Sequence, residues 1–270
     1  MILQKFALYP YSEETTRLYM KTTDDVVTDK EKVELKTLAK VNLETYFNLF
    51  SCLKWKKYVG VESVYLRLKL NGIVKVKIDH LQVKDGDVER HGVLDEEIQS
   101  DASGYVTSNE FTLPEEGMLG VMIEAVSESV LYEVDFSTDQ TGLEENDICI
   151  GIGICTFKRE KYVERNMNLL KEGILNNPAA EAYEHIKICI SDNAGTLEPE
   201  KIENPEIHVV KNKNLGGVGG FTRTMLEYLN GEEKISHVLL MDDDAIILPE
   251  TIERNYLFLK HLKKKYYQFL

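Results

Sequence analysis

Three consecutive aspartates, Asp242, Asp243 and Asp244, follow directly on the apolar run HVLLM at 237–241. Carboxylates delivered together at the end of a strand repel one another, and that repulsion calls for a compensating cation. A hard divalent ion suits them: Mg²⁺ or Mn²⁺ is typically held by one or two carboxylates together with substrate phosphates, bridging protein and ligand. Neighbouring strand residues point to opposite faces, so Asp242 and Asp244 share one side while Asp243 points elsewhere. The competing reading is a solvated acidic turn ahead of a helix whose N-terminus, near Pro249 and Glu250, favours anions. A calcium-binding EF-hand is excluded, because its alternating ligands and its glycine are missing.

Three other apolar runs end in polar residues as well. Thr156-Phe157-Lys158-Arg159 follows the run at 148–155, Ser191-Asp192-Asn193 follows 186–190, and NKNLGGVGGFTR at 212–223 follows 207–210. Taken singly, Thr156 could cap the next helix and Asp192-Asn193 could make a turn. Their joint placement on one edge is harder to dismiss. The glycines Gly216, Gly217, Gly219 and Gly220 fit neither a phosphate-binding P-loop, for no Gly-Lys-Ser/Thr follows, nor the dinucleotide fingerprint, which belongs to the first unit of such a half. They would let backbone approach a bulky ligand or a neighbouring strand, or simply make a turn. Arg223, on the helix that follows, could reach a diphosphate through its fork of donors; a surface ion pair accounts for it equally well.

These residues need a scaffold that brings strand ends together. From position 148 onward, continuous apolar runs alternate with helix-like stretches at 158–175 and 220–229, the pattern of βαβ units on a mostly parallel sheet buried on both faces. In such sheets ligands bind beyond the carboxyl ends of the strands. The first half is written in the two-residue period of strands. Val64, Leu66, Leu68 and Leu70 alternate with Tyr65, Arg67 and Lys69, and Val74, Val76 and Ile78 alternate with Lys75 and Lys77. Asn71-Gly72 between the two sets predicts a type I′ hairpin. Further strand-like runs lie at 2–8, 41–50, 120–126 and 130–136, together suggesting an antiparallel sandwich. The polar segment at 137–147 marks the boundary. The predicted architecture is α/β plus all-β: an antiparallel β-sandwich, jelly-roll-like, at 1–146, then an α/β domain with a mostly parallel sheet at 147–270.

The chain has 270 residues and 43% hydrophobic content, enough for two cores. Its formal charge of −14 argues against gripping nucleic acid, whose affinity grows from clustered cations. Cys52, Cys149, Cys155 and Cys189 form no CxxC pair and read as reduced core residues of a cytosolic chain. No secretion leader is visible at the start. The longest nearly apolar run, 148–157, is far short of the roughly 18 residues of a membrane-spanning helix.

The ordered motifs TFKR, SDNAG, NLGGVGGFTR and MDDDAIILPE resemble family 2 glycosyltransferases of the GT-A fold, most closely the galactofuranosyltransferases that use UDP-galactofuranose. TYFNLF at 45–50 and Trp55 resemble the β-sandwich domain of that branch, so the resemblance covers nearly the whole chain. It implies a partial GT-A (Rossmann-like) domain in which Thr156 and Arg159 contact the uridine diphosphate and Asp192 holds the uracil or ribose side. Asn214, Gly216 and Gly217 line the nucleotide-sugar pocket. Asp242 and Asp244 are implied as the metal pair for Mn²⁺ or Mg²⁺, with Asp243 close to the donor sugar. The implied reaction is inverting: an acceptor hydroxyl attacks the anomeric carbon while the metal neutralises the departing diphosphate. Members of the family continue past the metal motif into a segment carrying an acidic catalytic base and much of the acceptor site. No residue here matches that base, so the chain is expected to be a truncated, donor-binding piece.

The expected function is thus a UDP-sugar-dependent glycosyltransferase acting on a glycan or lipid-linked glycan acceptor, with a sandwich that serves assembly of a homo-oligomer or binding of the acceptor chain. The alternative is a carbohydrate-binding or assembly protein with a remnant transferase domain. For it, Trp55, Tyr46, Phe47 and Phe50 would stack on a sugar, although core is the commoner fate of such residues. A nicotinamide oxidoreductase is a distant third, since no GxGxxG follows the first strand of the α/β half. One helix is expected from about Pro249 to the chain end, which mixes Lys260, Lys263, Lys264 and Lys265 with Tyr266, Tyr267, Phe269 and Leu270. Such a basic helix could lie on an anionic membrane from the cytoplasmic side, or be a solvated face.

Overall fold

The protein is described by a computed structural model covering residues 1–9, 16–29 and 31–269. It divides into two compact units, Met1–Glu144 together with His261–Leu270, and Glu145–Lys260. The last ten residues thus belong with the first unit rather than the second.

The first unit opens with β1 (Ile2–Lys5), α1 (Thr16–Tyr19), β2 (Lys21–Thr22), β3 (Val26–Thr28), β4 (Val33–Leu35), β5 (Lys40–Asn42) and β6 (Phe50–Ser51). After a helical turn at Lys54–Val59 come the long strands β7 (Ser63–Lys84) and β8 (Asp87–Thr107), then β9 (Phe111–Thr112), β10 (Met118–Ala125) and β11 (Ser129–Ser137). Among the described residues these eleven strands form one antiparallel sheet, with the path β2-β5-β10-β7-β11-β4-β3 and β1, β6, β8 and β9 attached to β11, β10, β7 and β7. The alternation read in the sequence is the burial pattern of β7. Val64, Leu66, Leu68, Leu70, Val74, Val76 and Ile78 all face the core.

The hairpin expected at Asn71-Gly72 is not formed there. Strand β7 runs straight through it, and Gly72 instead marks a bulge at φ 117°, where β7 leaves register with β8. On its other edge β7 pairs with β11 up to Asn71 and with β10 from Val74. A Cβ at Gly72 would sit 2.3 Å from the Ser129 hydroxyl, so glycine is required by a close approach rather than by a chain reversal. The reversal comes at Asp85-Gly86, both at positive φ, with Lys84 facing Asp87 across a two-residue turn.

The strand expected at 41–50 also stops early, at Asn42. The buried Asn48 amide accepts from the Ala7 amide at 2.8 Å and donates to the carbonyls of Ala7 at 2.8 Å and Tyr19 at 2.7 Å, while the Thr45 hydroxyl donates to Tyr19. TYFN is therefore a turn that clamps two chain segments. Phe50 stacks on Trp55 with ring centres 6.0 Å apart and meets Phe136 at 4.6 Å, and all three rings are buried. Of the aromatics considered for sugar stacking, Phe50 and Trp55 are thus core, while Tyr46 stands 80% exposed.

The second unit contains β12 (Ile150–Thr156), α2 (Glu160–Leu170), β13 (Ile186–Asp192), α3 (Pro199–Ile202), β14 (Ile207–Lys211), α4 (Gly216–Asn230), β15 (His237–Asp242) and all but the last residue of α5 (Pro249–His261). Its sheet has the order β14-β13-β12-β15, and every pairing is parallel. Strands β12 and β13 are buried almost throughout, the burial on both faces that a continuous apolar run announces. Helix α4 lies close on β12. A Cβ at Gly220 would come within 2.1 Å of the Cys155 sulfur, and one at Gly153 within 2.4 Å of the Thr224 hydroxyl.

Helix α5 ends at His261, earlier than expected, and Lys264–Phe269 forms a separate 3₁₀ turn. Within the first unit the amide of Lys263 donates to the Tyr58 carbonyl at 3.0 Å, and Tyr58 meets Tyr266 edge-on at 4.9 Å. These contacts pin the tail residues individually and end the helical run; Leu270 lies outside the described residues. Among those residues no helix is long and apolar enough to cross a membrane.

Candidate functional site

Parallel pairing in register brings the strand ends together. Thr156 faces Asp192, Asp192 faces Lys211, and Cys155 faces Asp242. The polar residues that end the four runs therefore share one edge of one sheet. The two-residue period holds through the acidic triplet: Asp242 and Asp244 are exposed, whereas Asp243 is 8% exposed.

Each carboxylate meets a different environment. Asp243 accepts a hydrogen bond from the Thr156 hydroxyl at 2.8 Å. Arg159, at the start of α2, pairs with Asp244 and lies 3.6 Å from Asp243, and its attraction to Asp244 holds the guanidinium pKa above its ordinary value. Asp242 has no salt-bridge partner among the described residues. The neighbouring Cys155 thiol is pushed up, first by burial and then by the charges of Asp243 and Asp242, so it stays a neutral packing group. All four cysteines are free thiols.

Asp192 is buried, and its oxygens accept from the backbone amides of Ala194, Gly195 and Leu197 at 2.9 to 3.0 Å. Its charge is satisfied by the loop that follows, so its direct effect is to set the shape of residues 193–197. Asn193 reaches across to the Gly216 carbonyl at 3.2 Å and accepts from the Asn212 amide at 2.9 Å, tying that loop to the glycine segment. Asn214 is exposed and accepts from the Gly216 amide at 3.3 Å. Gly216 takes the left-handed conformation, φ 71°, that starts α4. The first residues of α4 lie open, Val218 at 83% exposure, and the Leu215 side chain does not cap the helix start. Arg223 pairs with Glu227 one turn on, which is the surface ion pair and not a reach toward the strand ends.

Two residues that motif reading passes over stand behind the triplet. Asn166 and Arg165 on α2 both bond the backbone of residues 243–247. A signal for Asn166 exists in the sequence. It falls on the buried stripe of α2 with Val163, Met167 and Leu170, where a polar side chain must find partners.

Residues 151–268 match the family model described as Glycosyl transferase family 2, and residues 5–134 match the one described as Galactofuranosyltransferase 2 N-terminal. The chain carries a family 2 glycosyltransferase domain. All of strand β12 but its first residue, the acidic triplet and α5 fall within the matched residues. Among curated proteins, the chain is similar to galactofuranosyltransferase GlfT2 of Mycobacterium tuberculosis, 25% identical over 229 residues, which is 80% of this chain and 34% of that protein. It is 21% identical to GlfT2 of Mycolicibacterium smegmatis over 83% of this chain and 35% of that protein. The chain thus spans about a third of the length of the curated relatives it matches. Among solved structures, the CBM22-1-GH10 modules of Clostridium thermocellum xylanase 10B align over 64% of this chain and 34% of theirs, with TM-score 0.29 and 10% identity. A family 29 carbohydrate-binding module from Piromyces equi aligns over 44% and 76%, with TM-score 0.25 and 11% identity. Likenesses at that level fall short of a common fold.

Proposed function

We propose that the family 2 domain binds a UDP-sugar donor, UDP-galactofuranose on the strength of the resemblance, at the carboxyl edge of β13, β12 and β15. The sugar then passes with inversion to a glycan or lipid-linked glycan acceptor. The observation that carries this reading is the convergence of Thr156, Arg159, Asp192 and the acidic triplet on one edge, brought there by in-register parallel pairing.

The residues suit the parts. Arg159 is a fixed fork of donors beside the triplet and matches a diphosphate. Thr156, bonded to Asp243, holds that carboxylate inward, which leaves Asp242 and Asp244 facing out. Asp192 shapes the 193–197 loop on the nucleoside side, and Asn214, Gly216 and Gly217 bring open backbone to the pocket wall. A divalent ion fits this donor set, because Asp242 and Asp244 are exposed hard-oxygen donors. Among the described residues no three His, Cys, Asp or Glu side chains form a closed site, and an ion shared with a diphosphate requires only one or two carboxylates. Mn²⁺ or Mg²⁺ held there would neutralise the diphosphate as it departs. The acceptor hydroxyl must lose a proton as it attacks the anomeric carbon, and no residue of this chain is assigned as its base. The eleven-stranded sheet, read as a jelly-roll-like sandwich, would serve assembly or acceptor-chain binding.

Calorimetric titration with UDP tests the reading. Binding is expected with Mn²⁺ and much weaker binding without it; negligible heat in both would overturn the donor site. Asp242→Asn with Asp244→Asn should weaken Mn²⁺-dependent binding by more than about tenfold, and an unchanged affinity would remove the pair from its role.

A further inference from the structure

The acidic triplet straddles the end of a strand: Asp242 is still in register with Cys155, whereas Asp243 and Asp244 lie beyond the last pairing of the sheet. Strand β15 ends at Asp242, and residues 243–248 run without regular structure into α5 at Pro249. A turn carrying three like charges would spread if left to itself. From one side it is held by the Thr156 hydroxyl on Asp243. From the other side it is held by α2.

Asn166 is the centre of that second hold. Its side chain has no exposed surface. Its amide nitrogen donates to the Asp243 carbonyl at 3.0 Å and to the Ala245 carbonyl at 2.7 Å, and its oxygen faces the Ile247 amide at 3.5 Å. Two carbonyls on one side and an N–H on the other fix the orientation of the amide. Arg165 adds a half-buried guanidinium that donates to the carbonyls of Asp244 at 3.2 Å and Ala245 at 3.0 Å and also to the Asn166 oxygen. Residues 243, 244, 245 and 247 are thus gripped through their backbone, while the side chains of Asp242 and Asp244 face outward, that of Asp244 onto Arg159.

We propose that Asn166, supported by Arg165, is a positioning residue that sets the distance and direction between the Asp242 and Asp244 carboxylates through the backbone of residues 243–247. This rests on the donor-site reading and deepens it. Asn166 touches neither carboxylate. It acts as the second layer of the site, whose loss typically costs 10 to 100-fold in metal affinity. The same helix begins beside Arg159, so one rigid element sets both the carboxylates and the guanidinium that faces them.

The test compares Asn166→Ala and Asn166→Asp with Met167→Ala, a buried neighbour on the same helix with no hydrogen bond to the turn. All are measured for thermal stability, for Mn²⁺ affinity by the electron paramagnetic resonance of the free ion, and for UDP binding with Mn²⁺. Both Asn166 variants are expected to lose about tenfold or more in Mn²⁺–UDP affinity, whereas Met167→Ala loses stability and keeps its affinity. Arg165→Gln, on a partly exposed side chain, should lose a few-fold. Affinity that falls in Met167→Ala as far as in Asn166→Ala would make the effect one of general loosening and overturn the assignment. So would folded Asn166 and Arg165 variants that bind as the parent does. A parent chain that binds no UDP overturns the donor-site reading and this role with it, and the two failures are told apart by the parent's own titration.

Discussion

The two units place their charges in opposite ways. In the first, charges on the sheet are matched by close partners of opposite sign. Arg90 donates to both Glu44 and Asp79 at 2.8 Å, Arg67 grips the buried Asp135 at 2.9 Å, and Lys75 meets Asp95 at 2.9 Å. In the second, carboxylates crowd one strand edge, with Arg159 the only cation in salt-bridge range of Asp243 or Asp244 among the described residues. Cross-strand pairs of that kind stabilise a sheet. A surplus of one sign, kept at an edge and braced from behind by Thr156 and Asn166, is a cost in folding that binding an oppositely charged partner would repay.

That contrast predicts that stability and binding separate by unit. Phe50→Ala, in the middle of the Trp55 and Phe136 stack, should destabilise the first unit by about 3 to 5 kcal/mol, read by urea unfolding. Mn²⁺-dependent UDP binding in the still-folded protein should not change, and a parallel loss of affinity would break the division. Gly220→Ala sharpens it from the other side. The added methyl meets the Cys155 sulfur at 2.1 Å and should cost about 1 to 3 kcal/mol by overpacking. Gly220→Ala combined with Cys155→Ala should recover part of that cost, because the clashing sulfur is gone; additive losses would show that α4 and β12 do not meet there. The smallest effect is in pH dependence. Burial pushes the Cys52 thiol in the first unit and the Cys189 thiol in the second up to about 12 from 9.0. An acid whose folded pKa is raised keeps its proton in the native state while the unfolded chain ionises. Stability should therefore fall as pH rises from about 9 toward about 12. Cys52→Ala should flatten that slope in the first unit, and an unchanged slope would assign it to other groups.

The comparison also shows which signals in the chain could be read alone. The alternation at 64–78 and the exposure of Asp242 and Asp244 around a buried Asp243 both follow from the two-residue period, a local property of an extended chain. Asn71-Gly72 carried a correct local signal, a position that needs positive φ, yet the reversal falls at Asp85-Gly86. Two dipeptides in the same segment satisfy the same turn chemistry, and only the pairing of β7 with β10 and β11 selects between them. Strand β8 carries little strand signal in the sequence, because its run of acidic residues pairs at an edge of the sheet and has little apolar period. TYFN looked like strand and is a clamp, because Asn48 is satisfied by Ala7 and Tyr19, 41 and 29 residues away.

By itself the sequence determined the class of each half, the run of polar residues after each apolar strand, and which carboxylates of the triplet turn outward. These depend on residue period and on chemistry within a few positions. The tertiary structure alone decided that Thr156 bonds Asp243 across 87 residues, that Asp192 is bonded by the amides of its own loop, and that Asn166 holds the acidic turn across 77 residues. A buried polar group must find a partner, but which partner lies within 3 Å is set by how strands and helices pack, and no local pattern encodes that distance.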